Sequence, residues 1–259
     1  MIESLHSPHI TRVKALISSR GNKERKEHGL FIAEGLQCAR EALTSKKGPT
    51  LETMYLTQSG RTRIEAAGLD ISSIDVVDVS EPVMSAMSST ITPQGIISIC
   101  SLDDAAFSDL TSTGTSRFIY LHEIQDPGNA GTILRSADAM GIDAVIASPG
   151  SVDMYSPKVV RATAGSLWHV PLYTGISLQE LTDHFPTATK IALTAKGEVS
   201  LLDLKIEGDC IAIFGNEARG IDAYISDDVK QVQIPMKGSA ESLNLSAAAS
   251  IVMFYLSHN

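Results

Sequence analysis

Three short stretches carry more small and polar side chains than packing requires: DPGNAGTILR (126–135), FGNEARG (214–220) and IPMKGSAESLNLS (234–246). Each follows a short apolar run and precedes or adjoins a helical pattern, so each lies where open α/β sheets hold their ligands, at the carboxyl ends of strands. Arg135 lies six residues after Asn129, inside the first two turns of the helical pattern, and carries a guanidinium fork. Glu217 offers a carboxylate directly at a strand end. Asn129, Ser242 and Asn244 supply amide and hydroxyl groups, and Asn244 also suits a helix N-cap. Gly238 is expected to permit a backbone conformation closed to other residues. The Gly128-x-x-Gly131 turn at a helix start would cradle a phosphate on free N–H groups, although plain turn geometry explains a glycine pair equally well. The full Gly-x-Gly-x-x-Gly pattern is absent, which speaks against a nicotinamide enzyme.

The elements that position these stretches read as α/β. Apolar runs at Phe118–Glu123, Ala144–Ala147, Lys190–Thr194, Cys210–Phe214 and Val232–Ile234 are mostly continuous rather than alternating, as in parallel strands covered on both faces. Helical patterns occupy residues 130–140 and 245–256, the second with Leu245, Ala248, Val252 and Tyr255 on a core face. In the first part we read a helix over Pro8–Ser19, strands at Leu30–Ala33, Met54–Thr57, Val76–Val79 and Ile96–Ser101, a helix over Gly35–Leu43, and a helix start at Ser80-Glu81-Pro82. This divides the chain into a small α/β module over 1–102, a Ser/Thr/Asp-rich linker over 103–116 and a parallel-sheet domain over 117–259.

Bulk properties narrow the class. The 259 residues are 43% hydrophobic and 20% charged, ordinary for a packed globular chain. No run of about 18 apolar residues and no signal-peptide order occurs, so a cytoplasmic protein without a membrane segment is expected. Cys38, Cys100 and Cys210 are scattered and read as buried reduced thiols, and the seven histidines form no ligand set, so no metal is expected. Net charge is −9, yet residues 1–50 hold nine Lys and Arg against five acids. Arg12, Lys14, Arg20, Lys23, Arg25 and Lys26 make this segment a candidate nucleic-acid arm; a solvated helix face is the competing reading.

Asn129-x-Gly131-x-x-x-Arg135, Phe214-Gly215-Asn216-Glu217-x-x-Gly220 and Ile234-Pro235-Met236-x-Gly238-x-x-x-Ser242-Leu243-Asn244-Leu245-Ser246 resemble, in order and spacing, the three signature motifs of the SpoU (TrmH) family of RNA ribose 2′-O-methyltransferases, in the SPOUT superfamily. The segment SPKVVRATAGSLWHVP also resembles that family, and SPHITRVKAL, RKEHGLFIAEG and TPQGIISI are similar to the substrate-binding domain of members acting on ribosomal RNA. The resemblance implies a catalytic domain closed by a C-terminal trefoil knot, with S-adenosyl-L-methionine (AdoMet) bound at the knot. By the same resemblance, Leu193, Thr194, Ala195, Phe214, Gly215, Asn216, Gly220, Ile234, Met236, Gly238, Ser242 and Leu243 would line the cofactor cleft. Arg135 would hold the ribose hydroxyl, with Asn129, Glu217, Ser242 and Asn244 orienting the groups around it, and Arg161 would add a phosphate contact.

Further implications are an RNA partner, most naturally ribosomal, and a homodimer, with the C-terminal helix and the Trp168 segment as candidate interfaces. A transfer-RNA 2′-O-methyltransferase and a non-catalytic RNA-binding protein on the same scaffold are the alternatives. If residues 12–26 grip RNA, affinity for structured RNA falls steeply as salt rises from about 50 to 200 mM, because bound cationic side chains displace counterions. Filter binding over that range tests this, and a flat response removes the arm.

Overall fold

Local sequence chemistry starts the first helix. Pro8 occupies its first turn and the Ser7 hydroxyl accepts the His9 N–H. In the computed structural model, which describes residues 1–102, 105–217, 219–221 and 228–259, the chain runs α1 (Pro8–Ile17), α2 (Gly21–His28), β1 (Leu30–Glu34), α3 (Leu36–Thr44), β2 (Leu51–Leu56), α4 (Gln58–Ala66), β3 (Asp75–Asp78), α5 (Glu81–Met87) and β4 (Ile96–Ser101). It continues through β5 (Arg117–Leu121), α6 (Pro127–Ala139), β6 (Ala144–Ala147), α7 (Pro157–Ala162), β7 (Leu172–Thr174), α8 (Leu178–His184), β8 (Thr189–Leu193), β9 (Val199–Ser200), β10 (Cys210–Phe214), β11 (Lys230–Gln233) and α9 (Leu245–Leu256). Asp103 and Asp104 of the expected linker lie outside the described residues. Contacts divide the chain into two units: Met1–Asp104 with Tyr155–His169, and Ala105–Met154 with Val170–Asn259.

The first unit is built on a sheet of order β1-β4-β2-β3, in which β4 runs antiparallel to both β1 and β2 while β3 runs parallel to β2. Side chains alternate along β1. Leu30 and Ile32 join Ile10, Val13 and Leu16 of α1 and Val83, Met84 and Met87 of α5 in one core, while the Phe31 ring meets Tyr155 at 5.2 Å and Trp168 at 6.1 Å between centroids. Trp168 is buried and donates from Nε1 to the Pro49 carbonyl at 2.9 Å. Gly48 passes so close that a Cβ there would lie 3.1 Å from the Trp168 Cα, and its φ of +71° is a second reason for glycine.

The Tyr155–His169 segment, expected within a domain over 117–259, therefore groups with the first unit. Arg161 lies 3.5 Å from Glu34, whose side chain is only 6% exposed and also accepts from the Ser89 N–H at 3.0 Å and from the Ser88 and Ser89 hydroxyls. The guanidinium also donates to the Ser89 hydroxyl. Of the candidate arm, Arg12, Lys14, Arg20, Lys23 and Lys26 are exposed. Arg25 corrects the expectation: it is 3% exposed and donates to the Leu16 carbonyl, so it ties α2 to α1 and is withdrawn from any RNA.

The second unit has a sheet of order β7-β6-β5-β10-β8-β11-β9, with its paired strands parallel. β10, late in sequence, inserts between β5 and β8 and is buried along its whole length. Phe118, Tyr120, Ile211 and Ile213 pack with Leu181 of α8 and with Phe185 just after it in one core, and the Phe118 and Phe185 rings stack at 4.4 Å. On α9, Ser250 hydrogen-bonds Ser136 of α6 at 2.7 Å. All three cysteines are buried, and burial pushes the Cys38 and Cys210 thiols up to about 12. Among the described residues, no helix is long and apolar enough to cross a membrane.

Arg161→Ala leaves the Glu34 carboxylate without its cationic partner, and we expect a stability loss of about 1–3 kcal/mol. Denaturant unfolding measures it. Unchanged stability with a reduced salt slope of RNA binding would instead make Arg161 a phosphate contact.

Candidate active site

α6 begins earlier than its apolar pattern suggests. Asp126 caps it by accepting the Asn129 N–H at 2.8 Å and Pro127 opens the first turn, so Asn129 sits inside the helix rather than in a loop before it. Glu217, arriving from the end of β10, accepts the Gln125 and Asp126 N–H groups, each at 3.2 Å. Two carboxylates thus set negative charge beside the helix start where the Gly128-x-x-Gly131 turn was expected to cradle a phosphate.

The same Glu217 starts a directed chain of hydrogen bonds. A carboxylate only accepts, so Asn129 must turn its Nδ2 toward Glu217 Oε1, at 3.2 Å. This leaves Asn129 Oδ1 to accept from Asn244 Nδ2 at 3.0 Å. Asn244 then has only Oδ1 left, which caps α9 by accepting from the Ser246 N–H at 2.9 Å, the Ala247 N–H at 3.3 Å and the Ser246 hydroxyl at 2.6 Å. Behind Glu217 the turn closes on itself, with Asn216 and Gly220 exchanging backbone bonds at 3.2 and 2.8 Å. A Cβ on Gly215 would lie 2.4 Å from the Gly220 carbonyl carbon, so only glycine fits.

These groups border a cavity of about 770 Å³ at the carboxyl ends of β8, β10 and β11. Leu193, Thr194 and Ala195 come from β8 and the residues just after it, and Gly215, Asn216 and Gly220 from the turn after β10. Ile234, Met236, Gly238, Ser242 and Leu243 come from the segment after β11, with Asn129, Glu217 and Asn244 completing the wall. Phe214 is the exception among the expected cofactor residues. It is buried in the sheet and its carbonyl accepts the His122 N–H at 2.8 Å. Gly238 also differs from expectation, since its φ is not positive and nothing stands within 4 Å of where a Cβ would be; the position opens onto free space. Arg135 is exposed and does not line the cavity, lying about 9 Å along α6 from Asn129 at 1.5 Å rise per residue.

The comparisons with known proteins fit this arrangement. Residues 116–254, more than half of the chain, match the SpoU rRNA Methylase family. The chain belongs to the SpoU rRNA methylase family. Its residues 9–98 match the MRM3-like substrate binding domain. The Bacillus subtilis 23S rRNA (guanosine(2553)-2′-O)-methyltransferase RlmP is 30% identical over 98% of this chain and 99% of its own. An uncharacterised tRNA/rRNA methyltransferase of Synechocystis is also 30% identical, over 98% of this chain and 92% of its own. The crystal structure of an AdoMet-bound rRNA methyltransferase from Sinorhizobium meliloti superposes with a TM-score of 0.85 at 27% identity, covering 98% of this chain and 96% of that one.

In this SpoU family member the structure brings Asn129, Glu217, Ser242 and Asn244 to one cavity and leaves Arg135 outside its lining. Asp126, Glu241 and Ala248 also line it and were not anticipated. For Asp126 a signal existed, because Asp before Pro is a helix-start pattern. Among the described residues no group of three His, Cys, Asp or Glu could hold a metal ion.

Burial pushes the Glu217 carboxyl up, but hydrogen bonds from its own N–H, from Asn129 and from the Asp126 and Gln125 N–H groups outweigh it and hold the group below the usual glutamate range. A depressed folded-state value stabilises the fold above the unfolded pKa, and that contribution disappears as pH falls through the folded value. Glu217→Gln sets an NH₂ against N–H donors and should cost about 1–2 kcal/mol at neutral pH. The melting-temperature gap between wild type and variant closes on acidification below about pH 4. A gap that stays constant from pH 7 to 3 counts against the charged relay.

Proposed function

We propose that the protein transfers the methyl group of AdoMet to a ribose 2′-hydroxyl of ribosomal RNA. The observation that carries this reading is the convergence of three strand ends and the Glu217–Asn129–Asn244 relay on one cavity in a member of the SpoU family. The 23S rRNA 2′-O-methyltransferase activity in the name of the Bacillus relative and the AdoMet bound in the Sinorhizobium structure support the substrate and the donor.

The residues present fit such a cofactor. Gly215 and Gly220 bring backbone to the cavity wall, Gly238 leaves its rim open, and Thr194 Oγ1 is buried there without a hydrogen-bond partner. An unmet buried hydroxyl costs about 1–3 kcal/mol, which a polar ligand atom would recover. Leu193, Thr194, Ala195, Ile234, Met236 and Leu243 would hold AdoMet, with Gly215, Asn216 and Gly220 shaping its place. When bound, AdoMet supplies an electrophilic sulfonium methyl. The relay fixes Asn129 and the start of α9, and with them the exposed Ser242, which stands at the rim to orient the ribose. Arg135 holds the hydroxyl or its neighbouring phosphate.

The same reading includes a homodimer. Ile251 and Phe254 on α9 are 41% and 56% exposed and give an apolar face for a second copy, and Arg135, outside the lining of its own chain's cavity, suits an active site shared between copies. A C-terminal trefoil knot, a cytoplasmic location, and the division into an RNA-binding domain over 1–102, a linker over 103–116 and a catalytic domain over 117–259 complete the proposal. Arg12, Lys14, Arg20, Lys23 and Lys26 would grip the RNA backbone.

Arg135→Ala should lower methyl transfer to ribosomal RNA by at least about 100-fold with AdoMet affinity unchanged, since the side chain lies outside the cavity. Tritium transfer paired with calorimetry separates the two effects. Equal activity in the variant removes Arg135 from the reaction.

A further inference from the structure

A second cavity, of about 720 Å³, opens in the second unit. Tyr120, His122 and Glu123 line it at the end of β5, Gln179 and Asp183 from α8, and Lys190 from β8. Its size lies within the range of small-ligand sites. The loop after β5 separates the two spaces, with Glu123 bordering this cavity and Asp126 the other. Three residues of fully extended chain span at most about 11 Å, the length of no more than about three nucleotides of stacked strand.

That loop is fixed rather than loose. Asn216 Nδ2 and Gln125 Nε2 donate to the Glu123 carbonyl at 2.8 and 3.0 Å, Gln125 Nε2 also donates to the Gly150 carbonyl at 2.8 Å, and Glu217 holds the next two N–H groups. An occupant of the second cavity would thus be set at a defined distance from the methyl-transfer site.

The chemistry of the walls selects the kind of occupant. Glu123, Asp183 and Asp228 are acidic; the Arg219 guanidinium pairs with Glu123 and the Lys190 ammonium with Asp228 at 2.5 Å, so among the described residues Asp183 is the lining carboxylate that has no cationic partner. Carboxylate oxygens accept from the exocyclic amines of adenine, cytosine or guanine, which uracil lacks. Gln179 Nε2 donates to Asp183 Oδ1 at 2.7 Å and leaves its own carbonyl as a further acceptor. The Tyr120 ring is 1% exposed and belongs to the core, so of these two rings the half-buried His122 supplies the aromatic surface on which an unstacked base would rest. Burial is the main cause holding the His122 ring below the usual histidine range, which keeps that surface neutral.

We propose that this cavity receives an amino-bearing nucleobase, belonging to the methylated nucleotide or to one within three positions of it, and so contributes to the choice of RNA site. The inference rests on the ribose-methylation reading above.

Gln179 and Asp183 are exposed on α8 and lie outside the donor cavity, so their replacement leaves the fold and the cofactor site untouched. Gln179→Ala combined with Asp183→Ala should raise KM for ribosomal RNA taken from cells lacking the gene by about tenfold. The kcat, AdoMet Kd and unfolding midpoint should stay as in wild type. Gln179→p-benzoylphenylalanine, irradiated with the same RNA, should cross-link at an A, C or G within three nucleotides of the methylated ribose. An unmoved KM, no adduct, a distant adduct or an adduct at uridine each overturns the base cavity while wild-type methylation continues. Wild-type protein that methylates no RNA overturns the transfer reading and this one with it.

Discussion

A carboxylate cannot donate a hydrogen bond, and this one-way property of Glu217 propagates through the methyltransferase fold. It dictates which end of the Asn129 amide faces it, hence which end faces Asn244, hence which atom of Asn244 remains to cap α9. Three segments far apart in sequence are thereby set in register: the first turn of α6, the turn after β10 and the start of the last helix. The two amide links, at 3.2 and 3.0 Å, are of ordinary length. Their value lies in direction, because each amide has a single orientation that satisfies both neighbours, and a flip at any one position would set donor against donor.

The same carboxylate resolves an electrostatic question at α6. A helix N-terminus is an anion site by default, and in a protein that handles polyanions it would compete for phosphates. Here Asp126 takes the Asn129 N–H and Glu217 takes the Gln125 and Asp126 N–H groups just before the helix, so two carboxylates set their charge at this end and disfavour a phosphate there. Cationic side chains stand elsewhere, on α1 and α2 of the first unit and at Arg135. The overall net charge of −9 is therefore no obstacle to nucleic-acid recognition, since both signs are segregated along the chain.

Much of the second unit was legible because its strands are covered on both faces and so read as unbroken apolar runs; β10 is the clearest case. The three polar stretches were legible as strand-end chemistry, and their meeting at one cavity followed. What escaped had physical causes. β7 and β9 are too short to show any period. The start of α6 was hidden because Pro127-Gly128 resembles a turn, although it serves as a helix entry once Asp126 caps it. Phe214 sits beside cavity residues in sequence, but neighbours in a strand face opposite ways. Arg25 was hidden in a run of charges, where only its four-residue spacing from Gly21 on the inner side of α2 betrays that it faces α1. Ser177-x-x-Glu180, the capping box that starts α8, was present to be read.

The Tyr155–His169 segment has a consequence for how such proteins can be rebuilt. The chain leaves the second unit after Met154, fastens Trp168 against Phe31 and Pro49 and Arg161 against Glu34, and returns at Val170. Recombination between homologues at the obvious seam near residue 104 would pair one parent's Phe31, Pro49 and Glu34 with the other parent's Trp168 and Arg161. A chimaera built with a single crossover inherits that mismatch, whereas one that also carries residues 155–169 across keeps both halves of the joint from the same parent.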